Sequence, residues 1–341
     1  RNTHSCAYAG TEGQSFPSPG GLKMSMSSFI DHYFQHFNAG QLKQMAVSLK
    51  QHIDNGGKLF ITLAGAMSTA GIGQVLAPLI RKGYVAGISC TGANLEEDVF
   101  RMVALPHYEQ IKDWRNLSLE DEKALLDKKM NRVTDVCIPE DVAIRSIEQH
   151  LMKRWSSASA HQERHLPHAY FYDLLRSPDL DASIQGDKTA SWLLAAAEVD
   201  LPLFVPGWED STIGNIFAAR CLEEAISADC VLSGIHYMME LAPWYEHQEV
   251  SLAFLQIGGG IAGDFPICVV PLLNQDMKKD VPLWSWFGQI SESTPSYGGY
   301  SGAPPNEKIT WGKIDVDTPT FVVESDATIV TPLLFAYLLD L

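Results

Sequence analysis

The chain has 341 residues, of which 46% are apolar and 19% charged, a balance that excludes a disordered polymer and suffices for one large domain or two ordinary ones. Against 25 basic residues stand 41 acidic ones, and the net charge of −16 argues against nucleic acid and favours cationic small molecules or basic protein patches. No uncharged apolar run approaches the roughly 18 residues that span a bilayer and no signal-peptide pattern is visible, so the expectation is a soluble protein without a membrane partner.

Residues 1–27 are polar and turn-rich and read as an irregular arm, leaving 28–341 as a single α/β domain. A helix is predicted from Ser27 or Ser28, with Phe29, Ile30, Tyr33, Phe34 and Phe37 on one face, broken at Asn38-Ala-Gly40. A second helix carries Leu42, Met45, Ala46, Leu49 and Ile53 and is stopped by Asp54-Asn-Gly-Gly57. The period then changes: a strand at 58–64, a small-residue turn at 65–71 and a helix at 72–82 are followed by a strand at 85–90, a turn at Thr91-Gly-Ala-Asn94 and another helix. Residues 106–200 are richer in charge and predict mainly helix, near 119–129, 139–157 and 189–198. Further strands are predicted at 202–206, 251–257 and 282–291, then a Gly/Ser/Pro/Tyr-rich loop over 292–306, and a last strand and helix within 320–339. Strand–turn–helix units with near-continuous apolar strands imply a doubly wound, mostly parallel sheet, here with an N-terminal helical appendage. In such sheets ligands collect at the carboxyl ends of the strands, which singles out 65–71, 91–98, 208–215, 258–264 and the loop before Lys313.

Gly258-Gly-Gly260-Ile-Ala-Gly263 fits G-x-G-x-x-G directly after a strand, where backbone N–H groups can approach a pyrophosphate; a turn needed only for tight packing is the plainer alternative. In Thr91-Gly-Ala-Asn-Leu-Glu-Glu-Asp98 the acids either partner a helix dipole or, as Glu96 or Glu97, accept from ribose hydroxyls. Trp208-Glu-Asp-Ser-Thr-Ile-Gly214 offers caps in Asp210 and Ser211 or a polar cluster of a site. His161, His165 and His168 have the look of a solvated helix end, not a zinc site, and no metal is expected. Six scattered cysteines, Cys6, Cys90, Cys137, Cys221, Cys230 and Cys268, form no CxxC pair, which points to the reducing cytoplasm; Cys90 and Cys268 read as buried, inert thiols.

Lys313 is the sharpest feature. It follows Trp311 and Gly312 in ITWGKIDVD, with Ile309 and Ile314 suggesting a pocket wall. A free lysine amine, with a pKa of about 10.4, is protonated at neutral pH, but burial beside Trp311 would disfavour the ammonium, the requirement for an imine-forming lysine. A strand-edge lysine lying over Trp311 is the competing reading. Glu307, six residues earlier, could bind a substrate ammonium.

Together, AGAMSTAG (64–71), CTGANLEED (90–98), WEDSTIGN (208–215), QIGGG (256–260), SGAPPNEKITWGK (301–313) and ESDAT (324–328) resemble the deoxyhypusine synthase family, in particular its bacterial deoxyhypusine-synthase-like branch. The resemblance runs from about residue 27 to 341 and implies a Rossmann-like fold in a homotetramer with sites at subunit interfaces. It also implies an NAD-dependent transferase: a 4-aminobutyl group leaves spermidine as an imine, passes through a lysine imine and reaches an acceptor amine. By that resemblance Lys313 is the covalent lysine, Trp311 packs along the polyamine, Glu307 binds its amine, and Asp210 lies near substrate and cofactor. Thr91, Glu96, Glu97, Gly258, Gly259, Ser325, Asp326 and Ala327 match positions lining NAD, and Ser68, Thr69, Gly92 and Ser301 in the same motifs are expected to bind it as well.

The chain departs from the eukaryotic pattern after the glycines, where Ile261-Ala-Gly-Asp264-Phe265-Pro266 and Cys268 replace histidines and an asparagine, and in the loop before Lys313, where Tyr297 and Tyr300 replace aspartates. Asp264 then becomes a candidate substrate ligand in a reshaped pocket. The acceptor stays open between a protein lysine and a diamine such as putrescine, which would make homospermidine. A catalytically silent NAD- or polyamine-binding protein is the remaining alternative.

Overall fold

The computed structural model describes residues 24–295 and 298–341; most of the 1–27 arm and Tyr297 lie outside them. Six strands form one sheet, β1 (Lys58–Leu63), β2 (Val85–Cys90), β6 (Leu203–Phe204), β7 (Leu252–Ile257), β8 (Trp286–Ile290) and β9 (Thr320–Val323), in the order β6-β2-β1-β7-β8-β9. Every pairing in it is parallel. β7 and β8 are buried at every position, as strands covered by helices on both faces must be. The chain winds outward from β1 through β2 to β6, then crosses back to β7 and winds the other way. That reversal places the topological switch point between β1 and β7, where such folds open a crevice.

The helices α1 (Met26–Tyr33), α2 (Phe37–Asp54), α3 (Gly73–Arg81) and α4 (Gly92–Ala104) follow the predicted order. After them come α5 (Leu119–Asp127), α6 (Ser146–His161), α7 (Pro167–Arg176), α8 (Trp192–Glu198), α9 (Thr212–Leu222) and α10 (Gly234–Glu246). α11 (Gly260–Ile267) opens directly after β7, continues through the short α12 (Val269–Pro271), and the chain ends with α13 (Glu307–Thr310) and α14 (Ala327–Leu339).

Some expectations are corrected. Asn38-Ala-Gly40 lies in the first turn of α2 and does not break a helix; the break comes at Phe34, after which Phe37 starts α2 with φ of 55° and is 94% exposed. The middle region is not only helical: β3 (Glu109–Gln110), β4 (Met130–Val133) and β5 (Val136–Pro139) form a small antiparallel sheet in the order β3-β5-β4. Strands of two to four residues are too short for a period-two pattern to rise above the surrounding charge. Pro167 opens α7 at a position where its missing N–H costs nothing. The strand expected from 282 begins at Trp286, because Trp284 turns its indole into the core and donates to the Ile267 carbonyl at 3.3 Å.

The core carries a row of rings. Phe60, Phe254 and Phe287 are partners in register on β1, β7 and β8, so their side chains leave the same face and stack at centroid separations of 5.9 and 6.0 Å. Phe204 on β6 extends the row at 6.0 Å from Phe60, and Trp284 closes on Phe254 at 4.8 Å. Replacing the central ring, Phe254→Ala, is expected to destabilise the protein by about 3–5 kcal/mol, read as a lowered urea midpoint.

Candidate active site

All the candidate residues that fall among the described ones gather at the carboxyl ends of the six parallel strands. Ser68 and Thr69 follow β1, Thr91 to Glu97 follow β2, Asp210 follows β6, Gly258, Gly259 and Asp264 follow β7, Ser301 to Lys313 follow β8, and Ser325 to Ala327 follow β9. They form two neighbourhoods: a cavity after β7 and β8, and a polar rim spread over the ends of β1, β2 and β6.

The cavity, of about 400 Å³, is lined by Asp264, Cys268, Gly298 to Tyr300, Ala303, Glu307, Lys308, Trp311 and Lys313. Its key element is the end of α13. Gly312 takes φ of 66°, and from there its N–H reaches the Ile309 carbonyl at 2.9 Å while the Lys313 N–H reaches the Lys308 carbonyl at 3.0 Å. This is a Schellman closure, which brings the residue after the glycine back beside the residue five before it. Here both are lysines. The Lys313 carbonyl accepts from Trp284 N–H at 3.2 Å, so the turn is pinned to the strand that leads into β8. The sequence WGK thus has a mechanical reading: glycine supplies the left-handed residue and the closure aims the lysine inward.

Lys313 is 6% exposed, and its Nζ lies 3.2 Å from Asp264 Oδ1, 5.7 Å from the centre of the Tyr300 ring and 5.8 Å from that of Trp311. Trp311 itself is 65% exposed, a solvent-facing wall of the cavity and not part of its floor. Glu307 stands exposed at the rim. Cys268, expected to be an inert core thiol, is half-buried in the cavity with its Sγ 3.8 Å from Asp264, and burial pushes its thiol up. Lys308 is the most enclosed group. It is 3% exposed, its amine has no hydrogen-bond partner, and it lies 4.7 Å from the Phe287 ring centre and 5.0 Å from that of Tyr300. Burial, and then the charge of Lys313, lower its pKa to about 8.

The loop above the cavity is tied to the glycine run. Tyr300 donates to Gln256 Oε1 at 2.6 Å, Gln289 donates to the Ser301 carbonyl at 2.8 Å, and Gly260 N–H donates to Ser301 Oγ at 3.1 Å. Gly258 has φ of 78° and lies so close to Ala64 that a Cβ would come within 2.7 Å of that side chain. β1 and β7 therefore meet backbone to backbone at the switch point, while Gly65 and Gly260 face open space there. Bare backbone beside the start of α11 fits the close approach of a dinucleotide's phosphates.

On the rim, the acids are engaged with the protein itself. Glu96 accepts from Thr212 and Ile213 N–H at 2.9 and 2.7 Å, holding the start of α9, and Glu97 accepts from Thr69 Oγ1 at 2.7 Å. Asp98 accepts from Ser191 Oγ at 2.5 Å and from Leu193 N–H at 3.1 Å. Thr91 caps α4 through Asn94 N–H and donates to the Gly65 carbonyl at 2.8 Å, and Ser68 donates to the Asn94 carbonyl at 2.7 Å. A Cβ on Gly92 would meet Ser211 Cβ at 2.6 Å, so α4 and the start of α9 approach closely there. Asp326 caps α14 through Thr328 N–H, with Ser325 and Ala327 on either side, and Asp210 stands exposed beyond the cavity. Of the histidines, His168 is half-buried against the Tyr237 hydroxyl at 3.0 Å and its pKa is lowered to about 4 by desolvation. Among the described residues no cluster of three or more metal-binding side chains occurs, and no helix is long and apolar enough to cross a membrane.

The family model for deoxyhypusine synthase matches residues 29–338. The chain belongs to the deoxyhypusine synthase family. It is 30% identical over 335 residues to a "Deoxyhypusine synthase-like protein" of a Cyanothece species, covering 95% of this chain and 81% of that one. It is 25% identical over 305 residues to "Probable deoxyhypusine synthase 1" of Archaeoglobus fulgidus, covering 89% and 90%. A crystal structure of an Entamoeba histolytica protein assigned as a deoxyhypusine synthase shares the fold, with a TM-score of 0.56 over 95% of each chain at 11% identity.

Within this family member, the residue that reading the motifs missed is Lys308. The signal was present: two lysines five apart around Trp-Gly, the spacing that a Schellman closure folds together. Phe287, which supports Lys308, looked like an ordinary core residue of a buried strand.

Gly312→Ala forces an alanine into the left-handed region and sets its Cβ 2.8 Å from Gln275 Nε2, so it is expected to cost about 1–2 kcal/mol in urea unfolding. The buried rim acids set a pH dependence: burial raises Glu96 to about 7 and Asp98 to about 6, and raises Glu97. Such groups favour folding while protonated, so their contribution is full below their unfolded pKa and is lost as pH rises through 6–7. The thermal midpoint is expected to fall between pH 5 and pH 8, with a shallower slope in Glu96→Gln.

Proposed function

We propose that this protein is an NAD-dependent transferase that moves a 4-aminobutyl group from spermidine, through an imine on Lys313, to an acceptor primary amine. The observation that carries the proposal is the buried, ion-paired Lys313 in a cavity that also holds Asp264, Glu307 and Trp311. Family membership supports the reaction class.

Asp264 and Glu307 provide negative charge for the ammonium groups of a polyamine, and Trp311 offers an apolar face for the methylene chain between them. Lys313 must lose a proton before its amine can attack, and Asp264, 3.2 Å away, is the group positioned to take it. Attack of Nζ on the imine carbon of the oxidised substrate forms the new C–N bond as 1,3-diaminopropane departs with the old one. Enclosure of Lys313 protects the resulting lysine imine from water. NAD would be held by the backbone about Gly65 and Gly258 to Gly260, with Ser68, Thr69, Thr91, Gly92, Glu96, Glu97, Asp210, Ser301, Ser325, Asp326 and Ala327 proposed around it, and would supply the hydride acceptor and donor. The homotetramer belongs to the same proposal, supported by the exposed Trp311 at the cavity mouth, which a neighbouring subunit would cover. A cytoplasmic location accords with five free cysteines among the described residues.

The test is turnover. With NAD and spermidine, the protein is expected to release 1,3-diaminopropane, and Lys313→Ala to release none while still binding NAD. Adding putrescine, or a candidate acceptor protein, identifies the acceptor by which product forms. NAD binding without diaminopropane release by the wild type would sink the proposal.

A further inference from the structure

A buried amine without a partner is costly, and a buried charge without one is costlier still. Lys308 is such a group. No carboxylate makes an ion pair with it as Asp264 does with Lys313, Glu307 and Asp264 acting on it only from further away, and the Tyr300 hydroxyl donates to Gln256. What holds Lys308 is an aromatic seat formed by Phe287, at the end of the ring row through the core, and Tyr300, from the loop tied to the glycine run. An aromatic seat is also what an alkyl ammonium ligand would take. The Schellman closure brings this seat beside Lys313, whose charge acts on Lys308.

We propose that Lys308 is a specificity-determining residue of this cavity: its ammonium competes with the ammonium of an alkyl polyamine, so the substrate enters as the Lys308 proton leaves to solvent. This rests on the polyamine reading given above. In charge terms, the protonated cavity holds two lysines against Asp264 and Glu307 and is neutral. A polycation entering it meets no net attraction until one lysine becomes an amine. Lys313 has a carboxylate partner, whereas Lys308 faces two rings. The titratable groups facing Lys308 are Lys313, Glu307 and Asp264, with the phenol of Tyr300 and the thiol of Cys268 lining the same space, and burial raises both of these. Neither changes charge across neutral pH in the direction needed. Lys308, lowered to about 8, does. It is protonated below that pH and neutral above it, so polyamine affinity should rise with pH.

The experiment is spermidine binding to the NAD-loaded full chain, by calorimetry in buffers of different ionisation enthalpy at pH 7 and pH 9, beside steady-state KM. Wild type is expected to release about one proton per spermidine at pH 7 and little at pH 9, with KM falling about tenfold between them. Lys308→Met should lose that release, exchanging only the protons of spermidine itself, with a KM low at both pH values. Lys308→Arg, charged at either pH, should release none and hold KM high throughout, and it keeps the test available if the methionine variant does not fold. Retention of the proton release and tenfold KM shift in Lys308→Met would overturn the proposal while leaving the aminobutyl-transfer reading intact. So would a pH effect confined to kcat. Absence of spermidine binding by wild type would overturn both.

Discussion

The hydrogen bond from Lys313 N–H to the Lys308 carbonyl, made possible by a left-handed Gly312, is the constraint on which the site depends. It converts two lysines separated in sequence into neighbours at the carboxyl end of β8, each with a different answer to burial. Lys313 answers with a carboxylate and Lys308 with two aromatic faces. In Schellman turns the two positions frequently make an apolar contact; placing amines there spends stability on chemistry, since each buried ammonium must be compensated or neutralised.

α11 links this amine pair to the switch point. Its start carries the glycine run that lies against the end of β1, and Asp264, one turn further, reaches Lys313. The 298–303 loop closes over both, through Tyr300 to Gln256 and Ser301 to Gly260. A shift at the glycine run would therefore be felt at the ion pair through a helix only two turns long. The aromatic row of the core reaches the same place from below, so packing of the sheet and position of the amine are one problem and not two.

Much of the fold was readable because its central strands are long, apolar and followed by small-residue turns. β1, β2 and β7 fall where their periodicity places them. What was not readable lies where tertiary contacts overrule local pattern. Trp284 reads as strand yet turns inward, β3 to β5 are too short to show alternation, and Phe37 looks like a helix-face residue yet stands in solvent. At the site, WGK and GGG announced themselves through residue types that are rare together. The ion pair to Asp264 could not be seen, because it joins residues 49 apart. Lys308 was hidden for the opposite reason: a lysine on a four-residue helix looks solvated until the turn that buries it is known.

Which nitrogen becomes covalently attached decides whether Lys313 is the reacting amine. Borohydride added to the full chain during reaction with NAD and labelled spermidine, followed by peptide mapping, should place a single aminobutyl adduct on Lys313 and leave Lys308 unmodified. An adduct on Lys308, or none on either lysine while diaminopropane is released, would contradict that role for Lys313.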